Sequence, residues 1–501
     1  MAPPRHSGDR GIKAPAPRRS MGLGFIVPTA VVVAVLMYVG VAQVRRFSAI
    51  ARLPVLPTFS QPSGAIAEQL RERDRSVRAA PRSAAEVRAL CVAYHAIMFD
   101  DEAVRCYVHL ETLSPMAWQS TYYRALTRSE RGSGGELAAA MRRVVAEAPD
   151  FGPAWLRLGD VEFKLGHYDQ AKEAWLRASS LPEPEHAPFN GTPAHVPSAR
   201  LTDYASLGLA RIALVQGDAE GARQILERVT STARQFGPAF RLLGDAYAQL
   251  GRTADAELAM GRANMLPVFT PYADPLIDAL ARESRNSTFL LQQAAEADLA
   301  ANADWDEYLI RRAMEFDPDN PDVVYKLGLI LRAKQRNDEA LALFQRYQQM
   351  VPEDVQGVAQ IGSCLGDLGR FSEAESFLRR ALLRLDDALT HYNLAFVLTR
   401  MGRLAEAKQE YELALQRDPN HVEARMNLAA VLLRQGNLDR AARELARVLE
   451  IEPENAGAHT NLGLTLAQQG HLDRAAREFQ EALRINPQQQ SAREALQTLR
   501  R

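Results

Sequence analysis

Three asparagines, Asn393, Asn427 and Asn461, stand 34 residues apart, each followed by leucine, and Gln360 precedes them by one further step. A side-chain amide offers a donor and an acceptor together, so it matches one peptide unit of an extended ligand. Tyr392 and Phe396 add apolar surface beside them, and Arg400 and Arg434 would favour acidic side chains on a partner. The chemistry open to this set is peptide binding. Bond-making groups are not apparent: no phosphate loop, nucleophile elbow, HExxH or CxxCH sequence occurs, and ten histidines are spread without ligand spacing. No catalytic residue, metal ligand or cofactor is therefore assigned. Cys91, Cys106 and Cys364 are too few and too scattered for a disulfide framework or a four-cysteine zinc site. Cys91 and Cys106 pair either as buried thiols or, in an oxidising compartment, as a bridge.

The elements that must position these residues repeat. The 29 residues from Asn427 align without a gap on those from Asn461. Small and large apolar residues fall at fixed phases, with a glycine in the middle and a proline near the end. Numbering each unit from its start, Trp155, Leu158, Gly159, Gly166, Ala171, Trp175 and Ala178 fill positions 4, 7, 8, 15, 20, 24 and 27. Phe240, Leu243, Gly244, Gly251, Ala256 and Ala263 do the same in another unit. On a helix advancing ~100° per residue, positions 4, 7, 8 and 11 form one apolar face. Small residues at 8 and 20 let two antiparallel helices approach, and the glycine at 15 frees the turn between them. His391 and His459 occupy position 4, a core slot, and are expected as packed imidazoles.

This pattern resembles the tetratricopeptide repeat, a helix–turn–helix unit of 34 residues. The resemblance implies an all-α superhelix, or α-solenoid, stabilised by nearest-neighbour contacts. Units begin at 84, 118 and 152, then at 203 and 237, then at 321, 355, 388, 422 and 456. The expected organisation is a basic tail (1–20), a transmembrane helix (21–44), a proline-containing linker (45–64) and a leading helix (65–83). Repeats 1–3 follow (84–185), then a proline-rich loop (186–202), repeats 4–5 (203–270) and a second linker (271–286). A degenerate repeat (287–320), five further repeats (321–489) and a capping helix (490–501) complete the chain. Kinks are expected at the two interruptions, where stacking contacts are lost.

Positions 2, 6, 9 and 13 form a strip opposite the core. In the tetratricopeptide family this strip lines the concave inside of the superhelix. Gln360, Asn393, Asn427 and Asn461 all occupy position 6 and are expected to face solvent there. The arrangement is similar to the asparagine ladder of O-linked N-acetylglucosamine transferases, although no glycosyltransferase domain follows. The family's carboxylate clamp is not matched, because positions 5 and 9 read Tyr325/Leu329, Ala359/Ser363, Tyr392/Phe396, Met426/Ala430 and Thr460/Leu464.

Met21 to Ala42 carries no charge, and about 33 Å of helix would cross a ~30 Å hydrocarbon core. Five basic residues precede it and Arg45, Arg46 and Arg52 follow, a bias towards a cytoplasmic N-terminus. Leu53 to Ser63, with three prolines, reads as a stiff spacer away from the bilayer. Six lysines against 54 arginines fit a GC-rich bacterial genome, so the expected location is the inner membrane with the repeats extracytoplasmic. Residues 1–60 carry a net charge of +7, leaving −8 on the remainder; an acidic body excludes a nucleic-acid partner. The expected function is a membrane-anchored, non-enzymatic scaffold that binds a protein or peptide in its groove. An assembly factor for envelope or cytochrome c machinery is the alternative, and an enzyme with a site in 271–320 is the alternative from another class.

Overall fold

The computed structural model describes residues 26–59, 64–114, 118–128, 133–184, 199–272, 274–299 and 303–499. Among them there is no strand. After the apolar helix α1 (Ile26–Ala51) and the leading helix α2 (Ala65–Ala79), the helices pair. Repeats 1 to 3 are α3–α4 (Ala84–Ala96, Asp100–Leu113), α5–α6 (Trp118–Arg128, Gly134–Glu147) and α7–α8 (Gly152–Lys164, Tyr168–Ser179). Repeats 4 and 5 are α9–α10 (Leu201–Val215, Ala219–Thr232) and α11–α12 (Gly237–Gln249, Thr253–Asn264), followed by the lone α13 (Pro275–Glu283). Repeats 6 to 8 are α14–α15 (Ser287–Leu299, Ala303–Phe316), α16–α17 (Pro321–Ala333, Asn337–Met350) and α18–α19 (Val355–Asp367, Phe371–Leu382). Repeats 9 to 11 are α20–α21 (Ala388–Arg400, Leu404–Arg417), α22–α23 (Val422–Arg434, Leu438–Ile451) and α24–α25 (Ala456–Gln468, Leu472–Ile485), and α26 (Gln490–Leu499) caps the end. The all-α solenoid read from the sequence is the fold observed.

The phases act as their chemistry requires. Position 8 must be small because the ring at position 24 lies against it: a Cβ on Gly328 would come 2.8 Å from Phe344. Position 15 takes a left-handed backbone at each described glycine there, from Gly166 (φ 78°) to Gly470 (φ 82°). In repeats 1 and 7 the same turn is made by Met98 (φ 64°) and Gln335 (φ 60°). A left-handed non-glycine residue costs about 1–2 kcal/mol. Gln335→Gly is therefore expected to stabilise the chain by roughly 1 kcal/mol, the gain being trimmed by the freer unfolded chain. Gln216→Gly, at an ordinary φ of −83°, should give no gain. Paired urea titrations of the two variants check this, and equal effects at both sites would refute it.

The degenerate repeat 287–320 forms a helix pair, in which Trp305 stacks on Tyr308 at 4.9 Å between ring centroids. Two expectations are corrected. The segment 53–59 is no spacer. Leu53 and Pro54 are buried, Leu56 and Phe59 pack on the core of repeat 1, and Phe59 stacks on Phe99. The helix before it runs on to Ala51 and delivers the chain straight onto the body. The linker 271–286 contains α13 and is held tightly, as described below. Residues 185–198 of the proline-rich loop, residues 21–25 of the apolar segment and the basic tail lie outside the described residues.

The core does not follow repeat order. One continuous apolar cluster joins repeat 1 (Leu90, Tyr94, Tyr107) to α13 (Leu280) and then to repeats 6 through 10. Repeats 2 to 5 have their own smaller clusters. The Cys91 and Cys106 sulfurs are bonded across α3 and α4, with Cα atoms 5.2 Å apart, while Cys364 is a buried free thiol.

Candidate polypeptide-binding grooves

The strip predicted at positions 2, 6, 9 and 13 is occupied in the first half of the chain by the chain itself. Segment 270–286 runs past the first helices of repeats 4, 3, 2 and 1, in that order. The Tyr204 hydroxyl (position 2 of repeat 4) lies 2.9 Å from the carbonyl oxygens of Thr270 and Pro271. Tyr272 donates to Pro153 O in repeat 3 at 3.3 Å, and Tyr123 (position 6 of repeat 2) donates to Leu276 O at 3.0 Å. At the far end Gln69 of α2 donates to Glu283 O (2.6 Å), Ser284 donates to Ala96 O (2.6 Å) and Asn286 donates to Ile97 O (3.1 Å).

The centre of this strap is ionic. Asp274, only 4% exposed, caps α13 by accepting from Leu276 N at 3.0 Å through one oxygen. Its other oxygen accepts from the Tyr122 hydroxyl at 2.5 Å and from Arg157 Nη2 at 3.2 Å. Arg157, at position 6 of repeat 3, also donates through Nε to the Tyr122 hydroxyl (2.8 Å) and lies over the Tyr272 ring. Burial pushes the Tyr122 phenol well above its ordinary range, so it stays a donor to the carboxylate. Asp274 followed by Pro275 is a helix start, an N-cap residue and then proline at the first helical position. That signal lies in the sequence, as do Tyr123, Arg157 and Tyr204 at strip positions and Tyr122 beside them at position 5, but only the last repeats carry the same residue type at successive strip positions.

In the C-terminal repeats the candidate residues do line up on successive first helices, α18, α20, α22 and α24. The position-6 amides reach back to the preceding repeat. Gln360 Oε1 accepts from Arg332 at 3.3 Å, Asn393 donates to Ser363 Oγ at 2.8 Å, and Asn427 donates to the Tyr392 hydroxyl at 3.4 Å. Gln360 and Asn393 are buried, which departs from the expected solvent-facing strip: α18 packs on α20, and the Asn393 amide is held against Ser363 of α18. Asn427 and Asn461 are half-buried, and Tyr392 and Phe396 likewise. Arg434 is exposed, and the exposed Arg400 lies over the Phe371 and Phe396 rings at 5.5 and 5.9 Å. An open cavity of about 700 Å³ lies beside Arg400, with Phe396, Phe371, Arg332 and Asp367 in its walls.

The two core histidines are not simply packed. His391 Nδ1 meets Glu410 at 2.6 Å and Nε2 meets Asp386 at 3.0 Å, while His459 Nδ1 meets Glu478 at 2.7 Å. Arg425 occupies the same slot in repeat 10 and meets Glu444 at 2.6 Å. In repeats 9 to 11 a polar pair between positions 4 and 23 thus ties the two helices where an aromatic residue was expected.

Models of the tetratricopeptide repeat match residues 152–183, 204–228, 291–355, 356–384, 398–460 and 432–499, about half of the chain. Protein CTR9 homolog of Arabidopsis thaliana is 31% identical over 115 residues, 23% of this chain; the chain spans about a tenth of that relative's length. Among solved structures, YrrB, described as a TPR protein with an unusual peptide-binding site, is 22% identical over 38% of this chain and 97% of its own (TM-score 0.32). Pseudomonas aeruginosa pilF is 18% identical over 42% and 95% (TM-score 0.37), and the APC/C hetero-tetramer Cut9-Hcn1 is 13% identical over 87% and 95% (TM-score 0.41). With these family matches and eleven helix pairs among the described residues, the chain belongs to the tetratricopeptide-repeat proteins.

Proposed function

We propose that this protein is a membrane-anchored scaffold whose C-terminal groove, repeats 8 to 11, binds an extended polypeptide. One observation carries the reading: the equivalent strip of repeats 1 to 4 already holds a segment of the chain, extended at 270–272 and helical from Pro275, taking its backbone carbonyls with side-chain hydroxyls and its carboxylate with an arginine. The residues assigned to the partner are Asn427, Asn461, Tyr392, Phe396, Arg400 and Arg434, with Gln360 and Asn393 fixing the register of the helices behind them. The Arg400 and Arg434 guanidiniums favour a partner with acidic side chains. A photo-crosslinking residue at Asn461 or Arg400, in cells with the native N-terminus, is expected to trap a polypeptide. The same residue at the outward Arg443 should not. Equal adducts at all three sites would overturn the groove as the binding surface.

The anchor is α1, whose span Val31–Ala51 has a mean hydropathy of 1.5 and is exposed from Val31 to Ser48. Its N-terminus is assigned to the cytoplasm and the repeats to the oxidising side, where a Cys91–Cys106 bridge persists. Denatured protein taken from cells under acid quench is expected to add one maleimide–polyethylene glycol before reduction, at Cys364, and three after it. Three additions without reduction would place the repeats in a reducing compartment.

A further inference from the structure

We propose that the junction between α1 and the repeat body is a binding surface for anionic phospholipid headgroups, formed by Arg45, Arg46, Arg52, Arg75 and Arg82. The inference rests on α1 being a membrane anchor, and it adds a surface on the folded body to the span itself.

The apolar run of α1 ends at Val44, so Arg45 marks the edge of the hydrocarbon. From there the helix continues six residues to Ala51, about 9 Å at ~1.5 Å per residue. The headgroup layer on one side of a bilayer is only about 5–8 Å deep. The body has already met the helix within that depth: Ala49 is buried, and Arg46 Nη2 donates to the carbonyl of Arg78, in the last turn of α2, at 3.2 Å. The end of α2 therefore sits level with the headgroups, and no spacer lifts it away.

What it brings there is positive charge. Arg75 stands one turn before Arg78, and Arg82 four residues after it. Arg45, Arg46, Arg52, Arg75 and Arg82 are all exposed, and none has a carboxylate partner among the described residues. Two acids of the same helix are spent elsewhere, Asp74 on Arg78 at 2.7 Å and Glu72 on Arg285 at 3.6 Å, and the third, Glu68, stands in the first turn at the opposite end from Arg78. The guanidiniums of Arg45, Arg46, Arg75 and Arg82 form a collar at headgroup depth, with Arg52 about 10 Å past Arg45 at the outer edge, and match phosphodiester oxygens, which guanidinium binds in a bidentate fork. A zwitterionic lipid presents the same phosphate with a compensating ammonium, so the collar selects for net negative charge.

The test uses the full-length protein in detergent, mixed with equal amounts of phosphatidylglycerol and phosphatidylcholine and examined by native mass spectrometry. The wild type is expected to retain phosphatidylglycerol with at least a tenfold preference. Arg46→Gln/Arg75→Gln/Arg82→Gln should fall to near parity, while Arg228→Gln/Arg234→Gln/Arg443→Gln, far from the junction, should keep the preference. A second reading needs no variant: the wild-type preference should collapse as ammonium acetate is raised from about 0.1 M to 1 M, where screening shortens to ~3 Å. Parity in the wild type, a preference untouched in the junction variant, or a preference indifferent to salt would overturn the proposal. Alkaline extraction of native membranes separates the two layers of the argument, since release of the protein would sink the anchor itself, whereas retention with lipid parity would sink only the collar.

Discussion

Arg157→Ala is expected to cost about 3 kcal/mol and to split unfolding into two transitions. Removing one partner of a buried ion pair strands the other, at ~3–5 kcal/mol when both are fully buried. The lower end applies because the Arg157 side chain is 31% exposed, although that of Asp274 is 3% exposed. With Asp274 unmatched, the strap loosens at its centre, and the strap is the second tie of repeats 2 to 5 to the continuous core, beside the direct packing of α4 on α5 and of Tyr123 in that core. Arg157→Ala/Asp274→Asn should recover part of the loss, because asparagine retains the cap on α13 without the buried charge. Urea titration followed by both far-ultraviolet circular dichroism and tryptophan fluorescence checks this, with Trp155 and Trp175 reporting repeat 3. A single transition with a loss under about 0.5 kcal/mol, the ordinary range of surface changes, would show that the strap is not held by this pair.

Asn427→Ala/Asn461→Ala is expected to weaken partner binding by about one to two orders of magnitude with little change in thermal midpoint. Each amide contributes roughly 0.5–1.5 kcal/mol net if it meets a ligand backbone, and every ~1.4 kcal/mol is a factor of ten. Both side chains are half-buried on the strip, and the Asn427 contact to Tyr392 is long, at 3.4 Å. Asn393→Ala should behave differently. Its amide is buried and donates to Ser363 at 2.8 Å, so its loss is expected to cost about 1 kcal/mol of stability before any ligand is considered. Partner affinity by calorimetry and melting temperature, measured on all three variants, separate the roles. Unchanged affinity in the double variant would assign these asparagines to inter-repeat packing alone.

The repeat register was legible because each phase has a separate physical cause, and several causes agree in every unit. At position 15 the left-handed turn persists where Met98 and Gln335 replace glycine, since the turn is imposed by the helices on either side. The ladder's alignment was legible too, but its burial was not. Whether Asn393 sees solvent depends on how closely α18 and α20 approach, a property of superhelical pitch that no single repeat encodes. The strap was illegible for a related reason. Its partners lie up to 214 residues away, as between Gln69 and Glu283, and local periodicity carries no information about contacts of that reach. Prolines at 267, 271 and 275 read as an interruption, whereas they accompany an irregular stretch and a helix start. The aromatic-for-ionic exchange at His391, Arg425 and His459 required seeing position 23, where Glu410, Glu444 and Glu478 recur at the same spacing.

A linear solenoid can gain or lose a unit anywhere, because each repeat answers only to its neighbours. Closing a strap from repeat 5 back to repeat 1 ends that freedom for the front half of this chain. The twenty residues from Leu266 to Arg285 have one length, and they must span the stacked first helices of the repeats between, so a repeat inserted before residue 264 would leave the tie too short. Repeats added after residue 489 meet no such limit. The closure also sets an order of events: repeats 1 to 5 leave the ribosome with their channel unfilled, and the channel is sealed only when residue 286 has followed. Until then the nascent chain displays an empty slot lined by Tyr122, Tyr123, Arg157 and Tyr204, and that slot makes the N-terminal half competent to hold something other than itself only during synthesis.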